Sequence, residues 1–207
     1  MPPRPVSPLN GATHVTPLCH AASVTSIPIS TERLVIRPWR EDEAPRLLDI
    51  LRRDEIVRWL GHPRTLETVE EAQAKIAAMA MDLPLSEWAF EVAATGVPAG
   101  SVMLVPIPRS EQPDGSSLVQ IGWYAHPDAT GHGYVTEAAR AVLEYGLASG
   151  LSEIRALTHT DNYPSMRVCD RLGMTYLGVT EDWYDDAPSS HYVVRKGQWP
   201  AREAVTR

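Results

Sequence analysis

The sequence predicts a mixed α/β layer built as one domain, and three observations carry that reading. Short alternating apolar runs and longer segments with helical spacing follow one another in the order βααβββαβαββ. The 207 residues, 43% apolar and 22% charged, suffice for one substantial core with a tail. A glycine-flanked junction, Gly131-His132-Gly133, carries the chain from a strand end into a helix.

Residues 1–28 are rich in Pro, Ser and Thr and hold neither a strand nor a helix period. They cannot bury enough apolar surface to offset the cost of ordering, so a flexible extension is expected, with a docking arm as the functional alternative. Order is expected from Thr31, where Leu34 and Ile36 alternate with Arg33, Val35 and Arg37 in a short strand that Pro38 ends. A helix is expected over 41–53, acidic at its start and basic at its end as the helix dipole prefers. A second over 68–81 opens with Thr68 and Glu71 at capping-box spacing.

The β-like runs 88–94 and 101–105 flank Thr95-Gly96-Val97-Pro98-Ala99-Gly100, a hairpin connection. The polar stretch 109–117 reads as a loop, and 118–125 as a strand with Gln120, Gly122 and Tyr124 on one face and Val119, Ile121 and Trp123 on the other. From 133 to 149, Val135, Ala138, Ala139, Val142, Tyr145 and Gly146 recur at helical spacing until Gly150 closes the helix. A strand over 154–159, a helix over 164–172 stopped by Gly173, and strands over 174–184 and 191–195 complete the domain, expected to span 29–200 ahead of a tail at 201–207.

A net charge of −7 argues against a general nucleic-acid binder, which needs clustered Lys and Arg, and fits a cationic substrate better. No run approaches the roughly 18 apolar residues of a membrane helix and no secretory leader is evident, so a cytoplasmic protein is expected. Cys19 and Cys169 set up neither a disulfide framework nor a metal spacing. His62, His126, His132, His159 and His191 are scattered, and no metal is expected.

The junction Pro127-Asp128-Ala129-Thr130-Gly131-His132-Gly133-Tyr134-Val135-Thr136-Glu137-Ala138 carries the most chemistry. The first amides of a helix are unpaired and its dipole is positive there, which makes an anion site. On the glycines alone, a turn before an ordinary helix is the competing reading. A P-loop would need Gly-Lys-Ser/Thr, which is absent, and a Rossmann fingerprint a third glycine where Thr136 stands.

Three blocks occur together and in order: Ile121-Gly122-Trp123-Tyr124-Ala125-His126-Pro127, the Gly-His-Gly-Tyr-Val-Thr-Glu-Ala run, and Asn162-Tyr163-Pro164-Ser165-Met166-Arg167-Val168-Cys169-Asp170-Arg171-Leu172-Gly173-Met174. With the opening Thr31-Glu32-Arg33-Leu34-Val35-Ile36-Arg37-Pro38, the sequence over 31–199 resembles the GNAT acetyltransferases, in the branch that includes ribosomal-protein N-terminal acetyltransferases. The resemblance implies the GNAT fold, a mostly antiparallel twisted sheet of about seven strands with a parallel pair at the cofactor cleft and flanking helices. It also implies acetyl-CoA as co-substrate, an amine acceptor, and a monomer or homodimer. By the same resemblance the cofactor contacts are Thr130 and the amides of Gly131, His132, Gly133, Tyr134, Val135 and Thr136 around the pyrophosphate. Tyr124, Ala125 and His126 would offer backbone to the pantetheine, and Asn162 would meet the CoA arm or simply cap the helix beside Pro164. Thr130 stands where the family usually has Arg or Gln, and Val135 where it favours Gly or Ala.

Acetyl transfer needs a free amine, stabilisation of the oxyanion and a proton for the departing thiolate. Helical register puts Ser165, Val168, Cys169 and Leu172 on one face. Many family members carry Tyr at Cys169, whereas in the ribosomal-protein branch a Ser at Ser165 acts as the acid. Ser165 also reads as a first-turn serine bonding a backbone amide, and Cys169 as a small buried filler. Gln120 occupies the place of the Glu that many relatives use as base and cannot take a proton. The base then comes from water or from Glu181, Asp182, Tyr184 or Asp185, each of which also reads as a solvated surface group. Trp59, Trp88, Trp123 and Trp183 are candidate walls of a substrate slot or core anchors, and Trp199 a packing residue. The acceptor is expected to be a protein or peptide N-terminus or a small amine such as a polyamine or aminoglycoside. The alternatives are a degenerate domain that binds acyl-CoA or a protein partner without turnover, and an enzyme for a longer acyl chain.

Overall fold

The computed structural model describes residues 27–60, 64–79, 81–184 and 187–199. Most of the expected N-terminal extension, the C-terminal tail, Cys19, His62 and Asp185 lie outside the described residues. The elements are β1 (Ile29–Ser30), β2 (Leu34–Arg37), α1 (Ala44–Leu51), α2 (Asp54–Val57), α3 (Val69–Ala78), β3 (Ser86–Val92), β4 (Val97–Glu111), β5 (Ser117–Ala125), α4 (Tyr134–Ala148), β6 (Glu153–His159), α5 (Tyr163–Leu172), β7 (Thr175–Thr180) and β8 (Ser189–Arg195). The strands form one sheet in the order β1-β2-β3-β4-β5-β6-β8-β7. Neighbours are antiparallel except β5 and β6, so the expected mixed architecture with a parallel pair is what the chain adopts.

Four expectations need correcting. Order begins before Thr31, because Ile29 pairs with Ile36 and Ile27 packs on the core, giving an eighth strand. The expected loop over 109–117 shrinks to residues 112–116: β4 runs on through Pro106 and Pro108, which donate no N–H to the ladder, as far as Glu111, and β5 begins at Ser117. Ser110 repairs that interruption, its hydroxyl accepting the Leu118 N–H at 3.0 Å and donating to the Ile107 carbonyl at 2.6 Å. The helix over 41–53 is a short 3-10 turn, Glu41–Glu43, then α1, with the chain breaking at Arg52–Arg53 into α2. Finally, β7 ends at Thr180 and residues 181–184 form a turn.

Two layers cover the sheet. On one face α4 and α5 bury Ile121, Ile154, Ala156, Tyr192 and Val194, anchored by Trp88 edge-on to Tyr145 with ring centroids 5.8 Å apart. On the other, α1, α2 and α3 pack over Ala89 and Tyr124. Cys169 sits fully buried in the first layer. Burial pushes its thiol up to about 12, so it stays protonated and serves as filler.

Candidate active site

The parallel pair makes the cleft. Gln120 and Arg155 are the one paired position between β5 and β6, and beyond it the strands stop bonding to each other. A cavity of about 1420 Å³ opens there and reaches both faces of the sheet, bordered by the loop before α4, the start of α5, α2 and Tyr184.

Gly131 and Gly133 both adopt φ +78°, a left-handed backbone that side chains rarely take. The two turns deliver Tyr134 as the first residue of α4. The first helical bond runs from Glu137 N–H to Gly133 C=O at 3.1 Å. The amides from Gly131 to Thr136 meet no acceptor among the described residues, and Gly131, Gly133, Tyr134, Val135 and Thr136 border the cavity. Six such groups at a positive helix end suit a pyrophosphate.

The loop is braced at both ends. Glu137 accepts from Thr31 Oγ1 at 2.6 Å, from the Arg33 amide at 2.9 Å and from Arg33 Nε at 2.7 Å, while Arg33 Nη1 donates to the His132 carbonyl at 2.9 Å. Burial works against the Glu137 charge, but these bonds, first that from Thr31, hold its pKa below the usual carboxylate value. Upstream, Arg46 of α1 pairs with Asp128 at 2.9 Å and Asp49 with His126 at 2.8 Å. His132 turns its ring back onto the Thr130 carbonyl at 2.8 Å and stacks on Tyr134, so its side chain does not border the cavity. Thr130 does border it, with its hydroxyl on the Pro127 carbonyl at 2.8 Å.

The expected run Tyr124, Ala125, His126 splits in two. His126 N–H bonds the Ala99 carbonyl at 2.8 Å. Alternation along the strand therefore turns the backbone of Tyr124 and His126 toward β4 and that of Trp123 and Ala125 toward the open side. Ala125 keeps its expected position, Trp123 joins it, and Tyr124 and His126 do not offer backbone to the cleft. The Tyr124 phenol donates to Glu87 beneath α3, and burial, then the Glu87 charge, raises its pKa well above the usual value. The His126 ring is committed to Asp49 and Asp128.

Asn162 and Ser165 enter from α5. Asn162 is the helix cap, its Oδ1 accepting the Ser165 N–H at 3.2 Å, and both residues border the cavity. Capping leaves the Asn162 amide N–H groups and the Ser165 hydroxyl to the cleft. From the opposite face comes Tyr184, whose oxygen accepts a hydrogen bond from Gln120. Burial raises the Tyr184 pKa, so the phenol stays protonated, with its own hydrogen available to donate. Gln120, unable to be a base, thus positions a proton donor, a role that sequence reasoning missed because the partners are 64 residues apart.

Glu181 is not brought to the site: it is exposed on the turn after β7 and does not border the cavity. Asp182 is exposed too and accepts from Thr180. Trp183 holds the turn, packing edge-on to His191 at 5.2 Å and giving its carbonyl to Arg109 at 3.0 Å. Trp59 borders the cavity edge-on to His159, 5.6 Å between rings. His159 is the imidazole that borders the cleft among the described residues, and only its place at the mouth distinguishes it from the other scattered histidines. Trp199 packs as expected, its indole N–H on the Leu172 carbonyl at 2.7 Å. No group of three His, Cys, Asp or Glu side chains is placed to hold a metal among the described residues.

Known proteins share this fold. The acetyltransferase (GNAT) domain model matches residues 33–175. An uncharacterized N-acetyltransferase of Bacillus subtilis, YoaA, is 25% identical over 159 residues, 75% of this chain and 86% of its own length. A second from the same organism, YnaD, is 32% identical over 93 residues, 41% of this chain, and the match spans only 53% of that relative. Among solved structures, an acetyltransferase from Agrobacterium tumefaciens superposes with a TM-score of 0.67 at 20% identity, covering 82% of this chain and 95% of that one. RimL, a ribosomal-protein acetyltransferase solved with coenzyme A, gives 0.67 at 16% identity over 82% of this chain and 98% of its own. At such identities the structures speak for the fold, and the domain match over most of the chain speaks for the family. The chain belongs to the GNAT acetyltransferase family.

Proposed function

We propose that this protein is an N-acetyltransferase that moves the acetyl group of acetyl-CoA to a primary amine by direct attack on the thioester, within a domain spanning about 29–200. The observation that carries the reading is the row of unpaired amides from Gly131 to Thr136, opening onto the gap where β5 and β6 part. The diphosphate would lie on that row, and the pantetheine would run along the open backbone of Trp123 and Ala125, past Asn162. The amine would enter from the α2 face, between Trp59 and Tyr184.

In the transfer the amine nitrogen bonds to the thioester carbon, the carbon–sulfur bond breaks, and the sulfur takes a proton as CoA leaves. Ser165 is the proton donor on the α5 face, with Tyr184 across the cleft as a second hydroxyl held neutral by burial. The proton shed by the amine passes through water to His159, since neither Gln120 nor the distant Glu181 can receive it, and Ser165 regains its proton through the same water, so that one proton moves from nitrogen to sulfur overall. No metal enters the scheme.

The acceptor class is a protein or peptide N-terminus, as in the ribosomal-protein branch, or a small amine. The setting is cytoplasmic, without nucleic acid or membrane; no helix among the described residues is long and apolar enough to cross one. Gln120 in place of a family glutamate favours one rival, a domain that binds acyl-CoA without turnover. Incubation with acetyl-CoA and a panel of amines, with titration of released thiol, separates the two. Turnover on any amine supports the enzyme, thermal stabilisation by acetyl-CoA without turnover supports the rival, and neither defeats both.

A further inference from the structure

Thr158 is 8% exposed. Its Oγ1, out of reach of solvent, meets no hydrogen-bond partner among the described residues. Buried hydroxyls are almost always paired, because an unpaired one costs free energy in the folded state. The polar neighbours that could answer it are engaged elsewhere. Ser190, directly opposite on β8 and on the same face of the sheet, turns its hydroxyl to Met166 Sδ at 4.0 Å. Asn162 Oδ1 is taken by the Ser165 amide at 3.2 Å.

The position of Thr158 is as telling as its isolation. It borders the cleft on β6. Counting three residues forward from the paired Gln120 and Arg155 reaches Trp123 on β5 and Thr158 on β6. Thr158 therefore stands across the gap from the backbone groups that β5 turns toward it. It lies on the α5 side of the sheet, as Ala156 does, where the cap of α5 also meets the cleft. An arm threaded between the parted strands passes directly beside it. Rotation about the Cα–Cβ bond between staggered positions presents the hydroxyl to such an arm.

We propose that Thr158 is a hydrogen-bonding contact for the pantetheine arm of acyl-CoA, its hydroxyl donating to an amide carbonyl oxygen of that arm. The inference rests on the acyl-CoA reading above. Carbonyl oxygens are what the arm offers, in its two amides, and a hydroxyl with no acceptor among the described residues needs one from the ligand. The contact makes Thr158 a determinant of affinity for the arm and leaves the nucleotide end untouched.

The experiment compares wild type, Thr158→Val and Thr158→Ser for ligand-free melting temperature and for affinity toward CoA and toward its adenosine bisphosphate portion alone. Thr158→Val removes an unanswered hydroxyl at constant shape, so it is expected to melt no lower than wild type without ligand. It is expected to bind CoA about 3- to 10-fold more weakly, the worth of one hydrogen bond, and the nucleotide portion equally well. Thr158→Ser is expected to retain CoA affinity. Unchanged CoA affinity in Thr158→Val, an equal loss toward both ligands, or a lower ligand-free melting temperature would each overturn the contact while leaving the acyl-CoA reading intact. Wild-type protein that binds neither ligand would overturn that reading and the contact together.

Discussion

The two ends of the cleft are built by different means. At the proposed cofactor end the chemistry lies in the backbone, six amides set by two left-handed glycines and a helix start, with side chains acting as braces from the turn between β1 and β2 and from α1. At the proposed acceptor end it lies in side chains that arrive from the turn after α2, from the last residue of β6 and from the turn after β7. A backbone site depends on where glycine permits a turn and tolerates exchange of the side chains around it. The departures at Thr130 and Val135 leave its geometry in place. A side-chain site changes with every substitution, which is how one scaffold takes different amines.

If that contrast holds, disturbing the backbone at the cofactor end has the largest effect. Gly133→Val places a β-branched residue at φ +78°. With strain of about 1–3 kcal/mol and displaced amides, acetyl-CoA affinity measured by calorimetry is expected to fall about 100-fold, with helix content preserved by circular dichroism. Near-normal binding would mean that side chains hold the diphosphate after all.

Ser165→Ala comes next, expected to lower kcat about 100-fold with CoA affinity unchanged, as loss of a general acid does. Tyr184→Phe is expected to cost about tenfold. The reverse order of these two would move the acid to the opposite face of the sheet.

Removing a brace is milder. Arg33→Ala is expected to weaken acetyl-CoA binding about tenfold or less, because the pair it breaks is half exposed, with 46% of the Arg33 side chain accessible. The same brace sets an acid limit. The Glu137 pKa is lowered from 4.5, so its contribution is full above that value and is lost as pH falls through the lowered one. Melting temperature followed down the pH scale should decline less steeply there in Glu137→Gln than in wild type. The smallest effect is expected from Trp59→Ala: a rise of about three- to tenfold in KM for the amine, with CoA affinity unmoved. A parallel loss of CoA affinity would erase the distinction between the ends.

Legibility in the sequence followed the same division. The order of strands and helices was readable because it depends on local periodicity, whereas the parallel pair and the proposed cofactor role of Gly131 to Thr136 came from the resemblance of three spaced blocks to the GNAT family, the glycines alone fitting an ordinary turn. The direction of the Tyr124 and His126 backbone was not readable, since it depends on which strand neighbour takes each hydrogen bond. The eighth strand was missed because β1 has only two residues. The far part of β4 was missed because its residues from Arg109 on are polar and read as loop, while the contact of Ser110 with Leu118 that continues the ladder exists only in the fold. Pairing of Gln120 with Tyr184 and of Trp59 with His159 joins residues that only the folded sheet brings together.

The clasp of Thr31 and Arg33 on Glu137 also ties the N-terminal edge of the sheet to the cofactor loop. Any fluctuation that peels this edge away releases the loop, and a ligand that binds only the intact loop must, by mass action, suppress the fluctuation. Protease sensitivity near residues 27–33 would then fall as the acetyl-CoA concentration rises, linking the lifetime of the chain in the cell to the supply of its co-substrate.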